Sequence, residues 1–86
     1  MKIKDGFLLR QIAGQYVALP TGDDLDLNMM ITLNETGAFL WEQLQTQTEE
    51  PALVAALLRE YDVEEATAAA CVSAFVEKLR KNGFLE

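Results

Sequence analysis

Side-chain catalysis needs a nucleophile beside a base, yet this chain of 86 residues has no histidine and a single cysteine, Cys71. The remaining candidates are carboxylates, lysines, Tyr16 and Tyr61, and no spacing in the sequence pairs them. Cys71 stands between Ala70 and Val72 in a helical pattern, with no adjacent cation to lower its pKa, so it reads as a small packing residue. It has no partner for an internal disulfide, and no Cys/His cluster offers metal-ligand spacing. Asp23, Asp24 and Asp26 resemble the alternating acids of a calcium loop but lack its invariant turn glycine at the required offset, which leaves a solvated acidic turn. Gly6, Gly14, Gly22, Gly37 and Gly83 are scattered singly and build no phosphate loop. The expectation is a protein that is not an enzyme and holds neither metal nor cofactor.

Charge narrows the partners. The formal net charge is −7, which repels the phosphate backbone whose neutralisation drives non-specific nucleic-acid binding. Residues 21–65 carry eleven acids against Arg59 alone, whereas Lys2, Lys4 and Arg10 lie near the start and Lys78, Arg80 and Lys81 near the end. An acidic partner therefore has only the two ends to meet. There is no apolar run long enough to span a membrane and no export segment, so the reading is a cytoplasmic chain without membrane contact.

The elements that would present a binding surface follow from periodicity. Strands are expected at about 7–12, 16–20 and 29–33, the first two joined by the loop Ala13-Gly14-Gln15 with Gly14 supplying a positive φ. From Asn34 the period changes from 2 to 3.6, and helices are expected at about 35–45, 49–61 and 63–81. Asn34 is a natural N-cap for the first helix, with Thr32 and Glu35 as a rival capping box. Gly37 in its opening turn fits either the close approach of another backbone or an unselected glycine. Thr48 is the expected cap of the second helix, whose core face is Leu53, Val54, Leu57, Leu58 and Tyr61, and Asp62 with Glu65 is a capping box for the third. Val72, Phe75, Val76 and Leu79 form the cleanest apolar stripe, ended by Gly83 as a left-handed cap with Phe84 folding back on Leu79. The fold class is α+β: a winged-helix-like domain over 1–86, a three-stranded antiparallel sheet followed by three helices.

A three-stranded sheet leaves two open edges, each a row of unpaired N–H and C=O groups that another strand can join. The stretch Met29 to Leu33 carries no proline or charge to deter pairing, and its two methionines suit either adaptable peptide contact or ordinary gap filling. An extended peptide could add there as a fourth strand.

The string Ile31-Thr32-Leu33-Asn34-Glu35-Thr36-Gly37-Ala38-Phe39-Leu40-Trp41 resembles the LNETG-x-x-x-W signature of the PqqD-like proteins. Leu53 to Val63, with its Tyr61-Asp62-Val63, and Cys71 to Leu79 followed by Gly83-Phe84-Leu85 are similar to the later motifs of that family, and Cys71 stands where the family usually has an acid. The resemblance spans nearly the whole chain. It implies a module of coenzyme PQQ synthesis protein D type, a recognition element and peptide chaperone for ribosomally made, modified peptides. Such a module binds the leader of a precursor peptide beside its third strand and presents it to a modifying enzyme, commonly a radical SAM enzyme. Carried onto this sequence, the peptide-binding residues would be Met29, Met30, Ile31 and Thr32 on the strand and Val72, Phe75, Val76 and Leu79 on the helix, with Lys78, Arg80 and Lys81 as partners for leader acids. The apolar helix stripe fits core packing as well as ligand contact.

Two rivals belong to other classes. A homodimer or protein-interaction scaffold would use the open edge to pair with its own copy. A winged-helix nucleic-acid-binding regulator would need a basic recognition helix, yet residues 62–77 hold Asp62, Glu64, Glu65 and Glu77 and no Lys or Arg.

Overall fold

The period-2 stretch after Gly6 forms a hairpin in the computed structural model, which describes residues 1–21 and 30–86. Strands β1 (Phe7–Ile12) and β2 (Gln15–Pro20) pair antiparallel in a register from Phe7 opposite Pro20 to Ile12 opposite Gln15. The loop has two residues rather than the expected three. Ala13 (φ 52°) and Gly14 (φ 80°) both adopt positive φ, the geometry of a type I′ turn, whose twist matches that of the flanking strands. Strand β3 (Ile31–Leu33) adds antiparallel to β2, with Ile31, Thr32 and Leu33 opposite Ala18, Val17 and Tyr16, giving the order β1-β2-β3. It is shorter than the expected 29–33, and Met29 lies outside the described residues, as does the acidic turn with Asp23, Asp24 and Asp26.

Helices α1 (Glu35–Gln43), α2 (Glu50–Glu60) and α3 (Glu65–Lys81) follow, so the chain is an α+β fold with its sheet first and, loosely, the arrangement of a winged helix. Asn34 caps α1: its Oδ1 accepts from the Gly37 N–H at 2.7 Å, while Thr32 stays in β3 and the rival capping box is unused. The other two expected caps are corrected. Glu49 and Glu64 occupy the N-cap positions of α2 and α3 and make no side-chain cap bond. The Thr48 backbone instead holds the chain start, its carbonyl accepting from the Met1 ammonium at 2.8 Å and its N–H donating to the Met1 carbonyl at 3.0 Å. The end of α3 is a Schellman motif: Gly83 has φ 77°, its N–H donates to the Arg80 carbonyl, and the Phe84 N–H donates to the Leu79 carbonyl at 2.9 Å.

One apolar core joins these elements. Ala18 and Leu33 from the sheet meet Leu40, Trp41 and Leu44 of the first helical region, Leu53 and Leu57 of α2, and Ala68, Val72, Phe75, Val76 and Leu79 of α3. Leu58, expected in that core, is instead exposed, because the burial of Leu53, Ala56 and Leu57 turns it outward. Phe84 is fully buried, with its ring 4.6 Å from Phe7 and edge-on to Trp41 at 5.5 Å. The chain ends are stitched over it: Ile3 bridges to Leu85, Lys4 N–H donates to the Phe84 carbonyl, and Glu86 N–H donates to the Lys2 carbonyl. This packing sets the roll of α3 about its own axis, and with it which residues α3 turns toward β3. No described helix is long and apolar enough to cross a membrane.

Candidate functional site

Strand β3 is an edge of the sheet, and among the described residues no strand pairs with its outer side. Beside that edge runs a groove of about 420 Å³. Thr32, Leu33 and Asn34 form one wall, Cys71, Ala74, Phe75 and Lys78 of α3 form the other, and Gly37 and Leu40 of α1 lie between. The α3 wall has the i, i+3, i+4, i+7 spacing, set one position before the core stripe Val72, Phe75, Val76 and Leu79. A shift of one residue turns about 100° around a helix, so the two stripes occupy neighbouring faces and share Phe75.

Gly37 keeps the groove open at the foot of α1. A Cβ there would come within 3.1 Å of Asn34 Oδ1, 3.3 Å of the Leu33 Cβ and 3.3 Å of the Phe75 ring. These neighbours are all side-chain atoms, so the close approach of another backbone, one of the two readings of this glycine, is not what it accommodates. The capping bond and the groove floor meet at one residue, because the Gly37 N–H is also the donor to Asn34.

The polar groups are few. Among the described residues Lys78 is the one charged residue lining the groove, and its Nζ donates to the Thr32 carbonyl at 3.4 Å. In an antiparallel ladder, alternate residues turn their amide and carbonyl to opposite sides. The approach of Lys78 from α3 therefore assigns the Thr32 backbone groups to the open side and those of Ile31 and Leu33 to β2. A second recess, about 510 Å³, continues the groove past the hairpin: it shares Thr32, Leu33 and Asn34 and adds Gln11, Gly14, Gln15, Tyr16 and Glu35. Further along, Tyr61 packs edge-on to Phe39 at 5.6 Å. Burial, then the charges of Glu35 and Glu60, hold the Tyr61 phenol above its ordinary pKa. Among the described residues no group of three His, Cys, Asp or Glu is placed to hold a metal ion. What this arrangement offers is backbone hydrogen bonding along an edge, an apolar wall and one cation.

The residues expected from sequence distribute unevenly around it. Thr32, Phe75 and Lys78 line the groove. Ile31 is half-buried in β3, and Met30, just before it, is exposed. Val72, Val76 and Leu79 are at most 1% exposed and pack in the core, so they back the α3 wall rather than form its surface. Arg80 pairs with Glu77 at 3.5 Å, and Lys81 is exposed without lining the groove. Leu33, Asn34, Gly37, Leu40, Cys71 and Ala74 were not expected there. Hydrophobic periodicity marks large apolar residues, whereas a groove on a helix is made by small ones, so the signal was the run of Cys71 and Ala74 beside the strong stripe.

The family described as coenzyme PQQ synthesis protein D (PqqD) matches residues 9–85. Among solved structures, "TbiB1 in Complex with the TbiA(beta) Leader Peptide" is similar with a TM-score of 0.77 at 26% identity, covering 100% of this chain and 95% of that one. "Lasso peptide synthetase B1 complexed with the leader peptide" is similar in fold, with a TM-score of 0.72 at 24% identity over 96% of this chain and 93% of that one. No curated protein matches the chain.

Proposed function

The chain belongs to the PqqD family, and on that premise we propose that it is a non-catalytic adaptor that binds the leader of a ribosomally made precursor peptide. The leader adds to β3 as a fourth strand, its backbone bonding to Thr32 and its side chains seated against Phe75 and the small residues of α3. Ile31, with Met30 before it, extends the strand wall. Val72, Val76 and Leu79 hold α3 in place behind, and Lys78, Arg80 and Lys81 carry positive charge at the helix end. The module performs no chemistry itself and acts in the cytoplasm. It tethers the peptide to a modifying enzyme, a radical SAM enzyme by family resemblance, and so raises the effective concentration of the peptide's core segment there.

The observation that supports this reading is the open β3 edge lying along an apolar-walled groove. The likeness to two proteins solved with leader peptides points the same way. The test is an NMR titration of the labelled protein with the peptides encoded beside its gene. Saturable shifts concentrated in the amides of 30–34 and 71–78 are expected. Silence from every candidate, with the protein folded and monomeric, would refute leader binding.

A further inference from the structure

Three cations crowd the end of α3, but only one is placed to read a ligand. Arg80 is engaged by Glu77, Lys81 stands off the groove, and Lys78 lines it. Lys78 holds nothing but an exposed 3.4 Å bond to the neutral Thr32 carbonyl, and among the described residues no carboxylate pairs with it. That carbonyl belongs to the edge an added strand would use, so the ammonium rests where the incoming backbone must dock. A carboxylate adds to that bond a charge–charge attraction for the ammonium that a neutral carbonyl cannot supply.

The far end of the groove has the opposite charge: among the described residues Glu35 is the one charged residue of the adjoining recess. A peptide lying across both meets a cation beside Thr32 and an anion beyond Asn34. The chain's net charge of −7 provides no diffuse attraction for acidic peptides, so discrimination in their favour must come from this local pair.

We infer that the groove selects extended peptides carrying a carboxylate side chain beside the residue that pairs with Thr32, the carboxylate drawing Lys78 off the Thr32 carbonyl as the strand docks. Glu35 opposes the same acid one register further along, which sets the register of the bound strand. The inference rests on the proposal that β3 receives a peptide.

A phage-displayed library of random 12-residue peptides, selected against the whole chain, tests both separately. Peptides that shift the amides of 30–34 should share an Asp or Glu at one aligned position. Changing that acid to its amide should weaken binding to the parent about two- to fivefold, in line with partly exposed ion pairs, and leave affinity for Lys78→Met unchanged. Selection against Lys78→Glu should replace the acid by Lys or Arg. Peptides that shift the β3 amides without a shared acid, or an amide change felt equally by parent and Lys78→Met, would overturn the carboxylate rule while leaving peptide binding intact. A library yielding no peptide that moves those amides would overturn both.

Discussion

Replacing Thr32 by proline separates strand addition from every other way a peptide could occupy the groove. Thr32 is exposed on an edge strand, where proline is tolerated, and Ile31 before it is already extended, as a residue preceding proline must be. The substitution deletes the outward N–H and leaves the β2–β3 ladder, carried by Ile31 and Leu33, in place. One net backbone hydrogen bond contributes about 0.5–1.5 kcal/mol, and the peptide carbonyl left without a donor at a half-solvated edge adds a similar amount. Affinity should therefore fall about fivefold to 150-fold at about 1–3 kcal/mol. Ile31→Pro is the matched control: it removes a donor facing β2, so it should lower the melting temperature. Isothermal calorimetry with a peptide selected as above, beside thermal melts of both variants, reads the two effects. Undiminished affinity in folded Thr32→Pro would refute backbone pairing at this edge. A fold lost on Thr32→Pro and kept on Ile31→Pro would show that the strand faces the opposite way.

Ala13 is a non-glycine residue at positive φ in a two-residue turn, so Ala13→Asn, which creates the favoured Asn-Gly pair, should stabilise the fold by about 0.5–1 kcal/mol and raise the melting temperature by about 2–8 °C; a lower melting temperature would contradict the turn geometry. Tyr61, whose folded pKa is raised by burial and by Glu35 and Glu60, contributes stability that is full below its unfolded pKa near 10 and is lost as pH rises through the folded value. Tyr61→Phe should flatten the decline above about pH 10 in alkaline unfolding curves, and an unchanged slope would remove Tyr61 as its source. Cys71 is the only thiol and lines the groove, so saturating peptide should slow its alkylation by N-ethylmaleimide at least about tenfold, its reactivity following thiolate access; equal rates with and without peptide would place the peptide elsewhere.

Much of this protein was legible before any coordinates. The hairpin, the three helices, the Asn34 cap and the Gly83 terminus of α3 follow from local chemistry, because turn conformation, capping and amphipathic period depend on neighbours a few residues away. The departures come from tertiary packing. Thr48 was free to cap α2, but it is drawn to the Met1 backbone, a contact between residues far apart in sequence. Leu58 continued an apolar run, yet packing of Leu53, Ala56 and Leu57 left it on the outside.

The site divides along the same line. The sequence by itself determined that the chain lacks the histidine and paired cysteines of most side-chain catalysis, that a strand without proline or charge runs into α1, and that a cationic end closes α3. Only the tertiary structure decided that Cys71, Ala74 and Phe75, rather than Val72, Val76 and Leu79, face the edge of β3, and that Lys78 covers the edge carbonyl which no residue of β3 itself protects. The period of a helix states which residues share a face. The roll of that face toward β3 is set by the core it shares with Trp41, Leu57 and Phe84, and no local pattern records it.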